Sequence, residues 1–218
     1  METTNTVVYL IRHSEKMDNK KFIKEYNTND SEQLKESRKI LTVRGEEKAK
    51  NLSEKEEFKG IQAIYSGSYS RIIQTAKYFS EKYDIPVSID DNLNERIKGD
   101  VDYNKYPDFF VKQYWEKDFK QPNGESQVEV SERMKRVFWK VVKENKGKKS
   151  VVFTSATAMC FLFMNWCELF DVQINRLRGL KFKDKVVINK VFGAPEVFKV
   201  TISSNNEILD IENIEFEL

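Results

Sequence analysis

Short apolar runs rich in β-branched residues alternate with amphipathic stretches along this chain. The apolar runs are Val7–Ile11, Ile61–Tyr65, Val87–Ile89 and Val151–Thr154. The first is apolar throughout, which is typical of a strand covered on both faces of a parallel sheet. Strands that alternate with helices build such sheets. The sequence therefore predicts an α/β fold of three layers, in which a mostly parallel central sheet is flanked by helices.

Capping residues and helical periodicity mark the stretches between these runs. Thr42 is a candidate N-cap for a helix over Val43–Phe58, and Gly60 follows its end. Ser126 and Glu129 form a capping-box pattern, which predicts the start of another helix. The residues predicted on the core face of that helix are Val130, Met134, Val137, Phe138 and Val141.

Two further helices and a hairpin complete the predicted elements. Ser68–Tyr83 and Thr157–Phe170 have helical patterns. The apolar stripe of the first comprises Tyr69, Ile72, Ile73, Ala76, Phe79 and Tyr83. The tail alternates with period two over Val197–Ser203 and Glu207–Ile211, which predicts a C-terminal β-hairpin.

The balance of charge limits the partners of the chain. Its 218 residues fit one domain over residues 1–218, with 37 basic and 35 acidic side chains spread along it. No block of basic residues suggests a nucleic-acid groove or a membrane patch. Met1–Thr6 lacks the basic and apolar regions of a secretory signal. We expect a cytoplasmic protein with a small-molecule partner; the sequence carries no signal for its oligomeric state.

The uncharged segment Ser150–Cys167 is long enough to be weighed as a membrane span. Polar residues interrupt it, so a buried strand followed by a buried helix is the favoured interpretation. Cys160 and Cys167 are spaced to share a face of that helix, as buried free thiols in a reducing compartment.

Charged and polar side chains follow the predicted strands. Arg12 and His13 follow the first strand, Arg71 comes shortly after the second, Glu95 after the third and Ser155 after the fourth. Ligands of open α/β sheets bind beyond the carboxyl ends of the strands, so we expect these residues to surround one site. Taken singly, each has an ordinary interpretation as a surface or loop residue.

This combination of side chains suits phosphoryl chemistry. An imidazole is a competent nucleophile near neutral pH, and arginines bind phosphate oxygens with fixed forks of donors. The amino end of the helix that carries Arg71 adds to the anion site, and Glu95 is placed to give a proton. No metal-ligand spacing is apparent, and no metal or cofactor is predicted. An alternative cation site would comprise Asp90, Asp91, Asp100 and Asp102, although loop solvation is favoured.

Short segments also match the signature of one family in chain order. They are Val8–Glu15, with Ser14 in place of the usual glycine, Leu41–Gly45, Ile64–Ala76, Leu93–Glu95 and Gly124–Ser126. They resemble the motifs of the histidine phosphatase superfamily, in the branch related to phosphoglycerate mutases. The resemblance implies a phosphoglycerate mutase-like fold. It also implies that His13 is phosphorylated, that Arg12 and Arg71 bind the phosphoryl group and that Glu95 is the general acid.

The resemblance implies a second histidine after the fourth strand, and here the chain departs from the pattern, because His13 is its only histidine. Ser155 takes the vacant position if Thr154 and Thr157 are kept as anchors; a shift of one residue puts Ala156 there. A serine hydroxyl is shorter than an imidazole and uncharged. Losing one such donor costs about 10²–10³ in rate.

These residues leave three functions open. The first is a metal-independent phosphomonoesterase that acts through phospho-His13 at a reduced rate. The alternative is a catalytically silent pseudoenzyme that binds phosphate or a phospho-ligand. A phosphoglycerate mutase is less favoured, because Lys16-Met17-Asp18 follows the first motif where the mutases have a characteristic Trp and Asn.

Two segments are predicted to depart from the sheet. Residues 16–40 form a charged excursion, and residues 99–122 are a candidate lid, since the family covers its pocket there. The aromatic residues of the second segment are Tyr103, Tyr106, Phe109, Phe110, Tyr114 and Trp115. They would line a pocket for a hydrophobic phosphoester or pack a helix into the core, and the second is favoured. Phe22 and Tyr26 in the excursion are weaker candidates.

Overall fold

The structure, a computed structural model, describes residues 4–18 and 30–218. In chain order the strands are β1 (Thr6–Arg12), β2 (Ile61–Ser66), β3 (Val87–Ile89), β4 (Lys149–Thr154), β5 (Glu168–Val172), β6 (Leu177–Phe182), β7 (Lys185–Val191), β8 (Glu196–Ile202) and β9 (Ile208–Ile214). The α-helices are α1 (Glu32–Arg38), α2 (Val43–Ser53), α3 (Ser70–Tyr83), α4 (Phe109–Trp115), α5 (Gln127–Glu144) and α6 (Ala156–Phe163). Phe22 and Tyr26 lie outside the described residues.

The central sheet has six strands in the order β3-β2-β4-β1-β8-β9. The strands β3, β2, β4 and β1 run parallel, whereas β8 is antiparallel to β1 and β9 to β8. The predicted mostly parallel sheet and the C-terminal hairpin are therefore confirmed. The second strand of the hairpin begins at Ile208 and extends to Ile214, beyond the predicted Glu207–Ile211.

Strand β1 sends alternate side chains into two hydrophobic clusters on opposite faces of the sheet. Val8 and Leu10 pack in the cluster that contains the apolar residues of α5 and α6. Tyr9 and Ile11 pack in the cluster that contains those of α2 and α3. A strand covered on both faces has no polar face, which explains its unbroken apolar run and gives the predicted three layers.

The capping signals of the sequence are found in the structure. The Thr42 side chain accepts a hydrogen bond from the Gly45 N–H at the start of α2. Ser126 and Glu129 form both bonds of a capping box at the start of α5. The predicted core face of α5 is buried in full: Val130, Met134, Val137, Phe138 and Val141. On α3, however, Ile73 of the predicted stripe is 37% exposed.

Two helices end before the residues that the sequence predicts. Helix α2 stops at Ser53, and a 3₁₀ turn follows at Glu56–Phe58. The turn directs Phe58 into the core, where its ring packs edge-on against Tyr9 and Phe79. Helix periodicity alone predicts the apolar residue but not the change of direction that buries it.

Helix α6 ends at Phe163 rather than at the predicted Phe170. The Asn165 side chain donates to the carbonyl of Leu162 and satisfies the last turn of the helix. Cys167 lies beyond the helix, so the prediction that both cysteines share one helical face is wrong. Both are buried free thiols, as expected, and burial raises the pKa of each to about 12.

The chain after α6 forms a second, antiparallel sheet in the order β5-β6-β7, which the sequence analysis did not predict. Its residues Leu180, Phe182, Val187 and Ile188 join the hydrophobic cluster of α5 and α6. An ion pair between Lys185 and Asp210 also connects β7 with β9. No helix in residues 4–18 and 30–218 combines the length and the apolar composition that a membrane crossing requires.

Candidate active site

His13 follows β1, and its contacts fix which ring nitrogen carries the proton. Its Nδ1 lies 2.7 Å from the carbonyl oxygen of Ser14, which can only accept, so Nδ1 is the protonated nitrogen. Its Nε2 lies 3.0 Å from the Nε of Arg71, which can only donate. Burial, followed by the charges of Arg71 and Arg12, lowers the pKa of His13 well below its ordinary value. The imidazole is therefore neutral, with a lone pair on Nε2.

Side chains of α3 hold the loop that follows His13. Thr75 Oγ1 accepts the Ser14 N–H at 3.0 Å, and Gln74 Oε1 accepts the Leu41 N–H at 2.8 Å. The arginine, glutamine and threonine of the Arg71–Ala76 motif thus have distinct tasks. Arg71 contacts His13, and the other two hold the chain around it.

The segment Leu41–Gly45 closes on the same loop. The Thr42 N–H donates to the Glu15 carbonyl at 2.9 Å. Gly45 packs so closely against this backbone that a Cβ there would lie 2.2 Å from the Glu15 carbonyl oxygen. A glycine is therefore required in the first turn of α2 for the helix to approach the loop.

Arg71 lies in the first turn of α3, as predicted, and is 2% exposed. Its Nη1 donates to the Glu36 carbonyl at 2.5 Å, and its Nη2 lies 3.8 Å from the Glu36 carboxylate. That carboxylate also pairs with Lys16 at 3.2 Å and contacts Lys39. Burial raises the pKa of Glu36, but Lys16, Lys39 and Arg71 outweigh it and lower the pKa. Helix α1 thus places the negatively charged carboxylate of Glu36 beside the guanidinium of Arg71.

Arg12 is anchored by backbone carbonyls from the distant end of the chain. Its Nη1 donates to the carbonyls of Phe192 at 2.7 Å and Gly193 at 2.8 Å. Burial, together with the positive charge of Arg178, lowers the pKa of Arg12 to about 10, although Glu95 and Glu196 act in the opposite direction. The guanidinium therefore remains charged at neutral pH.

Unused polar atoms collect at this edge of the sheet. Within the described residues, the buried side-chain atoms without a hydrogen-bond partner are Arg12 Nε, Ser14 Oγ, Ser150 Oγ and Ser155 Oγ. All but Ser150 belong to residues at the carboxyl ends of β1 and β4, which are adjacent parallel strands. Burying a polar atom without a partner is unfavourable, so the collection of three such atoms at one edge indicates a place for a polar ligand.

Glu95 reaches the same edge through the loop after β3. The Thr154 hydroxyl donates to the Leu93 carbonyl at 2.6 Å and holds this loop at the end of β4. The Glu95 carboxylate accepts the N–H groups of Thr157 at 3.3 Å and Ala158 at 3.0 Å, in the first turn of α6. It is therefore fixed beside Ser155, at the amino end of a helix.

Arg133 and Glu125 position the Glu95 loop, and the sequence analysis did not identify this pair as such. Arg133 donates to the carbonyls of Asn92 and Asn94 at 2.6 and 3.0 Å. Glu125 holds its guanidinium with two bonds of 2.7 and 2.9 Å. This arrangement explains the glutamate of the Gly124–Ser126 motif. That motif was the one feature of the sequence that could have indicated the role of Glu125.

Ser155 directly follows β4 and is fully buried, and Ala156 is the first residue of α6. The register of β1 and β4 pairs Arg12 with Thr154, which brings Ser155 next to His13. Ser155 is therefore level with His13 at the edge of the sheet, whereas Ala156 already belongs to the helix.

Arg178 was missed by the sequence analysis, because strand β6 was not predicted and no motif includes it. The residue is 4% exposed, and its Nε donates to the Tyr114 hydroxyl at 2.5 Å. Its guanidinium lies 5.0 Å from the centre of the Phe192 ring, and the Phe192 carbonyl accepts the bond from Arg12, so both arginines contact one residue. The charge of Arg178 also contributes to the lowered pKa of Arg12.

The structure thus brings together Arg12, His13, Arg71, Glu95 and Ser155. Two aspartates of the alternative cation site have local partners instead. Asp90 and Asp102 each accept an N–H group of their own loop, as expected for ordinary loop residues. In the 99–122 segment, Tyr114 and Phe109 are buried, whereas Tyr103 and Trp115 are more than half exposed. The apolar residues of this segment therefore divide between core and surface.

Comparisons with known proteins agree with this architecture. A sequence profile described as "Histidine phosphatase superfamily (branch 1)" matches residues 8–200. No curated protein sequence matches the chain significantly. Among solved structures, Bacillus stearothermophilus YhfR superposes with a TM-score of 0.67 at 18% identity, over 93% of this chain and 94% of that one.

Two other solved structures share the fold. The mycobacterial glucosyl-3-phosphoglycerate phosphatase with inorganic phosphate has a TM-score of 0.66 at 16% identity, over 97% of both chains. The alpha-ribazole phosphatase from Shigella flexneri has a TM-score of 0.64 at 17% identity, over 97% of this chain and 100% of that one.

Proposed function

Because this chain belongs to branch 1 of the histidine phosphatase superfamily, we propose that it is a phosphomonoesterase that works without a metal ion through a phosphohistidine at His13. One observation carries the proposal: a neutral imidazole, whose Nε2 lone pair faces the Arg71 guanidinium, lies at the same edge of the sheet as a buried Arg12 donor without a partner. Such a site combines a nucleophile with a place for an anion.

In the first step, Nε2 of His13 attacks the phosphorus atom of a phosphomonoester. The P–N bond forms as the bond from phosphorus to the alcohol oxygen breaks. Arg12 and Arg71 bind the phosphoryl oxygens and stabilise the charge that spreads over them. Glu95, in its protonated form, gives its proton to the departing oxygen.

In the second step, a water molecule attacks the phosphorus atom of phospho-His13. Glu95 accepts a proton from this water, the P–N bond breaks and inorganic phosphate leaves. The bond from His13 Nδ1 to the Ser14 carbonyl persists through both steps, and it stabilises the positive charge that the ring carries while Nε2 is bonded to phosphorus.

The rate is expected to be reduced by the serine at position 155. Its hydroxyl is buried and has no partner among the described residues, so it is available to a phosphoryl oxygen, but it brings no charge. The substitution of a charged donor by a neutral, shorter one leaves turnover about 10²–10³ lower.

A second candidate function is favoured by the burial of the site. His13 is 3% exposed and Arg71 is 2% exposed, and the outer donors of Arg71 are engaged by Glu36. Such a site is suited to binding phosphate or a phospho-ligand without turnover, as in a pseudoenzyme. A mutase activity gains no support from these contacts.

The ligand that we propose is a small phosphoester, since phosphatases of small phosphoesters share the fold. We also propose that residues 99–122 cover the pocket, because two bonds connect this segment with the site. Gln113 accepts a hydrogen bond from Arg96, which follows Glu95, and the Tyr114 hydroxyl accepts one from Arg178. A single domain, a cytoplasmic location and the absence of nucleic-acid or membrane partners belong to the same proposal.

The test is an assay of p-nitrophenyl phosphate hydrolysis with the wild-type protein, His13→Ala and Ser155→His. Under the phosphatase proposal the wild type turns over, His13→Ala does not, and an acid-labile phosphoryl label appears on wild-type protein alone. Turnover that appears only with Ser155→His supports the pseudoenzyme. Wild-type activity that persists in His13→Ala contradicts both.

A further inference from the structure

We propose that Arg178 is a third guanidinium ligand of the phosphoryl group, and that it supplies from β6 the positive charge that position 155 lacks. This inference rests on the proposed phosphatase function and names an additional residue of the same site. It explains a buried cation that the two-step mechanism above does not use.

The surroundings of Arg178 orient it without neutralising it. Its guanidinium lies over the rings of Phe110 at 4.9 Å, Phe192 at 5.0 Å and Tyr114 at 5.5 Å. Aromatic faces attract a cation and restrict its side chain. Its hydrogen bonds go to the Tyr114 hydroxyl at 2.5 Å and the Arg176 carbonyl at 3.2 Å.

No carboxylate forms an ion pair with Arg178 in the part of the chain that the structure describes. Buried charges in proteins are normally paired, because an unpaired one loses its hydration without compensation. Tyr114 and Cys160 beside it are uncharged at neutral pH, since burial raises the pKa of both. A buried cation without an ion-pair partner of its own therefore points to an anionic ligand.

Phe192 connects Arg178 to the proposed phosphate ligands. Its carbonyl accepts the bond from Arg12, and its ring lies beneath Arg178, so both guanidinium groups bracket one residue. Two like charges that contact one residue repel each other, and an anion between them offsets this repulsion. Burial lowers the pKa of Arg12, and the proximity of Arg178 lowers it further, as this repulsion requires.

Arg178 also lies near α6, the helix that begins directly after Ser155, because its partner Tyr114 packs against Phe161 of that helix. Glu95, which is bonded to the first turn of α6, acts electrostatically on both Arg12 and Arg178. The arginine side chain is longer than an imidazole, so β6 can deliver a charge that Ser155 at the end of β4 cannot. The positive charge of Arg178 then stabilises the transferring phosphoryl group as the charge of the missing histidine would.

The test compares Arg178→Met with Arg136→Met, which removes an arginine from the exposed face of α5. We expect Arg178→Met to weaken orthovanadate binding at least tenfold and to lower kcat/KM for p-nitrophenyl phosphate by about 10²–10³. Arg136→Met should leave both unchanged. Wild-type vanadate affinity in Arg178→Met overturns the proposal.

A double-mutant cycle separates this role from a purely structural one. Ser155→His should recover more activity in the Arg178→Met background than it adds to the wild type, because the imidazole replaces the lost charge. An equal gain in both backgrounds contradicts the inference. If Arg178→Met does not fold, Arg178→Gln, which removes the charge but keeps a polar side chain, takes its place in the same cycle.

The outcomes also separate this inference from the proposed function. A wild-type protein that never turns over refutes the phosphatase, yet calorimetric titration of wild type and Arg178→Met with vanadate still tests the third ligand. A wild type with His13-dependent turnover that Arg178→Met fully retains refutes only the role of Arg178.

Discussion

The Nε of Arg71 lies 3.0 Å from the Nε2 of His13, so the proposed phosphate ligand and the proposed nucleophile contact each other directly. The donor on Arg71 fixes the imidazole tautomer, with the proton on Nδ1 and the lone pair on Nε2. The proposed phosphoryl group has to enter between these two atoms, so that Arg71 Nε then donates to a phosphoryl oxygen while the Nε2 lone pair faces the phosphorus atom.

The first prediction concerns the protonation of the imidazole. His13 is the only histidine, so ¹⁵N NMR of histidine-labelled protein reports on it without mutagenesis. We expect a neutral ring with Nδ1 protonated at about pH 6, because burial and the charges of Arg71 and Arg12 hold the pKa well below the ordinary value of about 6.5. An imidazolium spectrum at that pH would contradict the tautomer assignment.

The second prediction concerns stability and pH. Unfolded His13 gains a proton below about pH 6.5, whereas the folded residue stays neutral until well below that pH. The unfolded state therefore binds more protons in this window, and the free energy of unfolding falls as the pH decreases, by at most about 1.4 kcal/mol per unit from this residue. Urea unfolding should show a shallower pH dependence for His13→Gln than for wild type; equal slopes would refute the effect.

The third prediction concerns the anion beside Arg71. Glu36→Gln removes a negative charge that competes with phosphate for Arg71 and Lys16. We expect orthovanadate to inhibit Glu36→Gln about three- to tenfold more strongly than wild type, which corresponds to a gain in binding free energy of up to about 1.4 kcal/mol. The matched control is Glu32→Gln on the same helix, whose carboxylate pairs with Lys35 and not with Arg71. Weaker inhibition of Glu36→Gln than of Glu32→Gln would show that Glu36 does not compete.

The fourth prediction concerns Glu95 as the proton donor. In single-turnover experiments that follow phosphorylation of His13, Glu95→Gln should slow the reaction of an alkyl phosphate by about 10²–10⁴, and that of p-nitrophenyl phosphate much less, because nitrophenolate leaves without protonation. Asp91→Asn, in the exposed part of the same loop, serves as the control. Equal losses on both substrates would assign Glu95 a structural role.

The fifth prediction concerns Gly45. Alanine is favoured over glycine in a helix by up to about 1 kcal/mol, but here its Cβ would lie 2.2 Å from the Glu15 carbonyl oxygen. Backbone atoms cannot yield as a side chain can, so we expect Gly45→Ala to destabilise the protein by about 1–3 kcal/mol in urea unfolding.

Gly60→Ala provides the comparison for that measurement. Gly60 has φ of +81°, and a Cβ there would meet nothing within 4 Å, so the cost is backbone strain alone, about 1–2 kcal/mol. Gly45→Ala should in addition weaken vanadate binding, because the clash displaces the loop after His13. A Gly45→Ala protein as stable as wild type would contradict the close approach.

The sequence was most informative where a residue's neighbours are local or where both faces of a strand are buried. The run Val7–Ile11 is apolar because two clusters cover it, and Thr42 and Ser126 are caps that act within three residues. The ends of the parallel strands follow from the same runs. Hence Arg12, His13 and Ser155 were located at one edge by sequence pattern alone.

Sequence was least informative where burial depends on distant partners. Strand β7 interleaves charges with apolar residues, and its pairing with β6 is needed before either is recognisable as sheet. Arg178 reads as a surface charge until Phe110 and Tyr114, from α4, cover it. The ends of α2 and α6 were also misjudged, because tertiary packing of Phe58 and side-chain capping by Asn165 determine them.

The anchoring of Arg12 has a consequence for the order in which the protein acquires its function. Its guanidinium is held by the carbonyl of a residue 180 positions later, and β8, the antiparallel neighbour of β1, also comes from the end of the chain. During synthesis His13 and Arg12 are therefore made early, whereas the Phe192 carbonyl that orients the Arg12 guanidinium is made almost last. A growing chain is therefore unable to complete the proposed phosphate pocket until its final strands have emerged.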